Sequence, residues 1–331
     1  MHPKLMDKLW HYIDNGWWIP KAVSQAASLL CILKKSGGLQ TVMDCHQHND
    51  NTHKDVTPFP DQDQIWMDVA HTKYRSKIDL SNAYEQVPVA PEDVHKTAFS
   101  TVFGTFESNI MQQGNCNAPT TFLHLMMAIF QDTIGIFVYM YLDDLFIFSG
   151  TLQEHERHLN HVFSTLRKHS LYLEKDKCDL YSDSMDCLRH QVDNQGVHAN
   201  SDKMACICDW RTPRNYKDVQ RFLRLVQYLA HFMPDVTTYT SPISTICRNG
   251  QPFYWKPLHK VCFENIKAIA CRSPILKPID LACIDPIWVI CDASTSDIGM
   301  MYRQGENWQT CHPAGFISKK FTSAQMNYHI F

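Results

Sequence analysis

Phe137-Val138-Tyr139-Met140-Tyr141-Leu142-Asp143-Asp144-Leu145-Phe146-Ile147-Phe148 sets two apolar runs around a pair of adjacent acids. Short apolar runs bounded by a polar turn read as strands, so the segment predicts a β-hairpin with Asp143 and Asp144 at its tip. Neighbouring side chains on a strand point to opposite faces, but at a tight turn both reach one cavity. Two carboxylates beside a dry sheet are costly unless a cation neutralises them. A hard divalent ion, Mg2+ or Mn2+, suits such oxygen ligands and leaves room for substrate phosphates. Upstream, Ser76-Lys77-Ile78-Asp79-Leu80 reads as a second strand, running into a helix over residues 81–86, and supplies a third carboxylate. Three acids on adjacent strands suit two metals about 4 Å apart, one lowering the pKa of an attacking hydroxyl and the other steadying a leaving pyrophosphate.

Charge is compatible with that reading, and equally with an ordinary scatter of solvated charges. The formal net charge of the 331 residues is −3, which excludes a simple polyanion binder. Yet residues 101–150 contain four acids and no Lys or Arg, while residues 203–272 hold eleven Lys and Arg against four Asp and Glu, a balance of +7. An acidic centre followed by a basic segment fits a metal site beside a phosphate-backbone grip. Apolar residues make up 44% and charged residues 20%, a globular composition of about two domains. The longest uncharged, strongly apolar stretch, residues 133–142, is too short to span a bilayer, and the N-terminus lacks the apolar core of a signal peptide. The expectation is an intracellular protein, cytoplasmic or nuclear, with no membrane partner. Thirteen cysteines, an odd number without a Cys-x-x-Cys pair, read as reduced thiols.

Around the hairpin the chain mixes strands and helices without regular alternation, so α+β is the expected class. Residues 1–70 read as irregular apart from a hairpin of residues 29–33 and 39–43, turning at Lys34-Lys35-Ser36-Gly37-Gly38. Helices are expected over residues 118–131, with Pro119 in the first turn, over 154–169, and over 219–232, ended by Pro234. A connector of residues 274–286 precedes a strand at 287–291. In the 154–169 helix, His155, His158 and His161 fall near one face, a spacing that could also serve zinc.

These segments together resemble the reverse transcriptase of gypsy-type long-terminal-repeat retrotransposons, in order and spacing. The resemblance rests on Tyr141-Leu142-Asp143-Asp144, on Ser76-Lys77-Ile78-Asp79-Leu80 with Tyr84 and Gln86, on Val89-Ala90-Pro91-Glu92-Asp93 and His95-Lys96-Thr97-Ala98-Phe99. Further on, it rests on Gly114, Cys116-Asn117-Ala118-Pro119 with Phe122, and on Lys203, Trp210, Pro213, Phe222-Leu223 and Tyr228. It implies a right-hand polymerase of fingers, palm and thumb followed by a truncated ribonuclease H-like domain. The divisions are 1–75 (N-terminal segment and fingers), 76–195 (palm), 196–280 (thumb and connection) and 281–331 (partial ribonuclease H). It implies that Asp79, Asp143 and Asp144 are catalytic and bind the metals, that Tyr84 rejects a 2′-hydroxyl, and that Gln113 meets the incoming nucleotide. Lys34 or Lys35 would touch the triphosphate, and Leu188 and His190 would hold the primer end. Asp292, in Cys291-Asp292-Ala293-Ser294, would be a vestigial ribonuclease H acid. The implied partners are an RNA or DNA template with primer and a deoxynucleoside triphosphate; oligomeric state is left open. The family carries His in the 154–169 helix without metal.

Departures from the family pattern favour a rival: a degenerate copy or a domesticated nucleic-acid-binding protein. Gln40 stands where the family has Arg, Asp44-Cys45-His46 replaces Asp-Tyr-Arg, Gln112 replaces Pro, and Arg189 and Arg224 replace glycines. Strain is expected at both arginines. A metal-dependent nuclease read from Asp292 and Asp297 is a second rival, weakened because the other acids of such a site are missing.

Overall fold

The computed structural model describes residues 2–33, 37–247, 252–294, 297–322 and 324–325. The chain divides into two compact units, one of Met1–Asp61 and Ser76–Leu180, the other of Gln62–Arg75 and Tyr181–Phe331.

In the first unit the two-acid hairpin forms as expected, with Val138–Tyr141 paired antiparallel to Asp144–Ser149 and Tyr141 opposite Asp144. These strands belong to a four-stranded sheet ordered Val138–Tyr141, Asp144–Ser149, Tyr74–Asp79, Asp179–Ser182. One face of that sheet packs on the helices Ala118–Ile129 and Leu152–Lys168, where Ile78, Leu80, Phe122, Met126, Leu145, Ile147, Leu159 and Val162 form one core. The Leu152–Lys168 helix is started by a reciprocal cap. Thr151 Oγ1 accepts from Glu154 N–H, and Glu154 Oε2 accepts from Thr151 N–H, which satisfies two amides that a helix start otherwise leaves unpaired. A second sheet runs Trp18–Pro20, Gly104–Ser108, Phe99–Thr101, Ala27–Leu33, Leu39–Met43. The hairpin expected at residues 29–43 is there, with Leu33 opposite Leu39.

Three expectations change. The segment before residue 70 is not irregular: helices occupy His2–Asp14 and Gln62–His71. In the first, Leu5, Leu9 and Tyr12 are buried at helical spacing. The turn after Asp79 is a single 3-10 turn, Ala83–Gln86, set off by Asn82 at φ 45°. Arg224 lies inside the helix Tyr216–Tyr228, exposed and with ordinary helical backbone, so no strain attends it.

In the second unit the helices Ser201–Cys208, Tyr216–Tyr228, Val236–Ser244 and Pro257–Ala270 surround Ile207, Val219, Phe222, Val226, Phe263 and Ile266. Asn215 caps the second of them by accepting from Asp218 N–H at 2.9 Å. Two three-stranded sheets complete the unit: Ser184–Cys187, His190–Asp193, Val197–His198, and Ile287–Ala293, Asp297–Gln304, Pro313–Lys320. None of the thirteen cysteines is joined in a disulfide.

Candidate active site

Alternation along Tyr74–Asp79 decides which side chains face the site. Ser76 and Ile78 are fully buried, while Lys77 and Asp79 between and after them remain partly open on the opposite face. The next strand repeats the division: Leu145 and Ile147 enter the core and Asp144 stays partly open. The loop between the hairpin strands has two residues, Leu142 and Asp143. Leu142 sits at φ 57°, a conformation glycine adopts freely and leucine does not, and this sharp turn leaves Asp143 exposed at the tip. Leu80 N–H donates to Asp143 O at 3.0 Å, which ties the tip to the end of the neighbouring strand. The three predicted carboxylates therefore share one edge.

Two ammonium groups hold two of them. Lys77 Nζ lies 2.9 Å from Asp144 Oδ2, and Lys177 Nζ lies 3.0 Å from Asp79 Oδ1. Burial pushes the Asp144 carboxyl up, Lys77 pulls it back, and the charges of Asp143 and Asp79 raise it further. The hydrogen bond to Asp79 raises the Lys177 ammonium in turn. Neither lysine figured in the sequence reasoning as a site residue. Lys77 was visible two positions before Asp79 on the same strand face. Lys177 comes from the 3-10 turn Lys175–Lys177, almost a hundred residues away, and no local pattern announces it.

Tyr84 projects from the Ala83–Gln86 turn and meets Phe122 edge-on, ring centroids 5.9 Å apart. Burial, then the charge of Asp143, pushes its phenol up. Gln113 is fixed twice: its carbonyl accepts from Met43 N–H at 2.9 Å, and its Oε1 accepts from Gln40 Nε2 at 2.6 Å. The departure at Gln40 is thus a paired residue. Gly114 has φ 126°, and a Cβ there would lie 2.3 Å from Met43 O, so only glycine fits. Asp44 and His46, another departure, pair with each other through Asp44 Oδ1 and His46 Nδ1. Lys34 and Lys35 lie outside the described residues.

The other predicted residues belong to the second unit. Leu188 and Arg189 form the two-residue turn between Ser184–Cys187 and His190–Asp193, at φ 50° and 70°. Two positive φ values define the type I′ turn that closes a tight hairpin; strain at Arg189 is therefore real. His190 stacks on Tyr228 at 5.5 Å and 8°, with Phe232 at 5.1 Å and Trp66 at 6.4 Å. Burial lowers its imidazole to about 4. Asp292 is exposed on its strand, opposite Gly299. Asp235 presses against that glycine, where an added Cβ would lie 1.9 Å from Asp235 Oδ1. Its carboxyl is pushed up by burial and then by Asp292 and Asp297.

Among the described residues no three His, Cys, Asp or Glu side chains converge closely enough to hold a metal ion as they stand. At the zinc alternative, His155 and His158 both bond Ser149 through Nδ1. The donor set of Asp79, Asp143 and Asp144 still fits a divalent ion chemically. All three offer hard oxygen ligands, the charges of Asp143 and Asp79 both act on Asp144, and Asp144 and Asp79 each already pair with a cationic side chain.

Residues 32–199 match the family model for reverse transcriptase (RNA-dependent DNA polymerase). The chain belongs to the reverse transcriptase family. Residues 255–331 match a second model, the RNase H-like domain found in reverse transcriptase. The reverse transcriptase and ribonuclease H-like regions are similar to those of curated retrotransposon proteins. The Tf2-3 and Tf2-7 transposon polyproteins of Schizosaccharomyces pombe (strain 972 / ATCC 24843) are each 27% identical over 310 residues. The match covers 94% of this chain and 23% of each polyprotein, so the chain spans about a quarter of their length. Among solved structures, the foamy viral protease–reverse transcriptase in complex with dsDNA superposes with TM-score 0.88 at 21% identity, over 99% of this chain and 68% of that one. The same viral protein in complex with RNA/DNA hybrid gives 0.83 at 20%, over 99% and 44%. The right-hand α+β architecture, a reverse transcriptase domain followed by a ribonuclease H-like domain, is therefore shared. Among the described residues no helix is long and apolar enough to cross a membrane.

Proposed function

We propose that this chain is the RNA-directed DNA polymerase portion of a gypsy-type retrotransposon polyprotein, acting inside the cell on an RNA or DNA template with primer. The observation that carries the proposal is the shared edge of Asp79, Asp143 and Asp144, where the charge of each neighbour raises the Asp144 carboxyl. These three would hold two Mg2+ or Mn2+ ions. When bound, such ions favour the deprotonated primer hydroxyl and neutralise the departing pyrophosphate. In the reaction the primer 3′-oxygen forms a bond to the α-phosphorus of a deoxynucleoside triphosphate as the bond to the bridging oxygen of the β-phosphate breaks.

The chain's own residues bind and orient. Tyr84, braced by Phe122, would close the space a 2′-hydroxyl needs. Gln113 would face the nucleotide with its amide orientation set by Gln40, and Lys34 or Lys35 would reach the triphosphate. Leu188 and His190 would place the primer end through their tight hairpin. Residues 1–75, 76–195, 196–280 and 281–331 would serve as fingers, palm, thumb with connection, and a ribonuclease H-like region around Asp292. The second reading, a copy with weak or no chemistry, is favoured by the neutral amide at Gln40 and the strained Arg189. Primer extension by purified protein in Mg2+ decides between them. Incorporation that disappears in Asp144→Asn supports the polymerase. Binding of primer–template without any incorporation supports the degenerate copy.

A further inference from the structure

Behind the carboxylate edge, on the helix-packed face of the same sheet, lies a polar network that the reaction does not use. His155, in the first turns of the helix Leu152–Lys168, is fully buried. Its Nε2 lies 2.7 Å from Ser76 Oγ, and its Nδ1 lies 2.9 Å from Ser149 Oγ. Ser76 is fully buried and Ser149 nearly so. Ser76 sits three residues before Asp79; Ser149 closes the strand that Asp144 opens. Ser149 Oγ also lies 2.8 Å from His158 Nδ1, and the His158 ring stacks on Phe137 at 3.8 Å and 6°. Phe137 immediately precedes the remaining strand of the hairpin.

A ring so buried among apolar neighbours has an expensive polar requirement. Buried donors and acceptors must be paired, and a neutral imidazole offers one of each. Two serine hydroxyls, able to give or take, satisfy both nitrogens in either tautomer. A hydrophobic residue would fill the space as well, and fewer polar groups would need partners there. What only the polar ring supplies is direction: two bonds of fixed geometry, one to each metal-edge strand. At the cleft end the same two strands are joined by Leu80 N–H to Asp143 O. Beyond their pairing as neighbours in the sheet, the strands are thus tied together at both ends, and the side chains of Asp79 and Asp144 project from between these ties.

We propose that His155 is a positioning residue for the carboxylate edge: by bonding Ser76 and Ser149 it sets the spacing and alignment of the strands that present Asp79 and Asp144, and so the affinity of that edge for divalent cations. This rests on the reading of that edge as the metal site of a polymerase. Removing an outer partner that orients a metal ligand typically lowers metal affinity about 10- to 100-fold.

The test compares Mn2+ binding to the full chain, read by electron paramagnetic resonance, in wild type, His155→Leu, Ser76→Ala, His155→Gln and Asp144→Asn. Primer–template affinity and thermal melting are measured on the same samples. The proposal expects His155→Leu and Ser76→Ala to weaken Mn2+ binding about tenfold. Primer–template affinity should stay within twofold and melting should stay cooperative. His155→Gln, which keeps a polar group able to bond one serine, should recover part of the loss. Unchanged Mn2+ binding in a folded His155→Leu, with the expected loss in Asp144→Asn, overturns the positioning role alone. Parallel loss of metal binding, primer–template binding and melting cooperativity, with no rescue by Gln, shows a purely structural histidine and also overturns it. Mn2+ binding untouched even by Asp144→Asn removes the metal-edge reading itself, and the positioning role with it.

Discussion

Asp144 is the most constrained residue of the site. Burial opposes its charge, Lys77 supports it, and two further acids crowd it. Exchanging Asp79, Asp143 or Asp144 for Asn is expected to lower primer extension by more than about a hundredfold, the scale of losing a major electrostatic term. Circular dichroism of each variant should match wild type. Extension that persists in any of the three, or in the presence of a chelator, contradicts the assignment. Gln40 makes a second residue-scale case. The amide donates to Gln113, but it lacks the planar, permanently charged fork that binds phosphate. Gln40→Arg adds a charged hydrogen bond worth about 1.5–3 kcal/mol, so nucleotide incorporation should rise roughly ten- to a hundredfold, chiefly through tighter apparent binding of triphosphate. Steady-state incorporation at matched folded concentration tests this. Robust wild-type turnover with no gain would show that the Gln40–Gln113 pair suffices.

At the scale of elements, the two replaced glycines separate. Arg189 occupies a turn position with φ 70°, where a side chain costs about 1–2 kcal/mol. Arg189→Gly should therefore stabilise the protein by roughly 1 kcal/mol in urea unfolding. Arg224→Gly should do the reverse, by about 1 kcal/mol, because glycine weakens a helix interior. Arg224 also lines up with Lys217 and Arg221 on the exposed side of Tyr216–Tyr228, with Val219, Phe222 and Val226 buried opposite. If that stripe meets phosphates, Arg221→Ala with Arg224→Ala should flatten the salt dependence of primer–template binding by nearly two counterions. An unchanged log–log slope would place the nucleic acid elsewhere. The hairpin, the helices around residues 118–131, 154–169 and 219–232 and the strand at 287 are legible because their apolar periodicity is strong, whereas Ser201–Cys208, Val236–Ser244 and Pro257–Ala270 carry a weaker pattern. The Gln62–His71 helix is hidden by flanking polar residues, and Leu5, Leu9 and Tyr12 form a stripe of only three residues in a polar segment. The three carboxylates could be read from motif spacing, whereas Lys177, His155 and the Gln40–Gln113 pair are products of long-range folding that no local pattern encodes.

At the scale of the whole molecule, each unit buries a histidine whose imidazole is lowered from 6.5 to about 4: His155 in the first, His190 in the second. Between those values the unfolded chain binds more protons than the folded one, so stability rises with pH across the window and is lost as pH falls through it. Melting temperature should therefore fall as buffer moves from pH 6.5 toward 4, and His155→Gln should show a shallower slope by calorimetry. A slope identical to wild type would mean that His155 titrates normally. The ribonuclease H-like region is expected to cleave no RNA in an RNA–DNA hybrid. Asp292 is exposed, and the Asp235 carboxyl beside it is pushed up by burial and by Asp292 and Asp297. Metal-dependent cleavage that vanishes in Asp292→Asn would overturn this.

The segment Gln62–Arg75 belongs with residues made long after it. Ile65, Trp66 and Val69 are buried in the finished protein, and Arg75 bonds Asn194, 119 positions later. On a ribosome adding about 5–20 residues per second, that apolar helix waits on the order of ten seconds for its partners to emerge. Residues 76–180 can meanwhile complete the first unit. The growing chain thus carries the buried face of that helix uncovered until residues near Asn194 have emerged, and exposed apolar surface on a nascent chain invites aggregation. Ribosome-stalled chains ending near residue 190 should be cut by protease within Gln62–Arg75, and chains that include both units should be protected there.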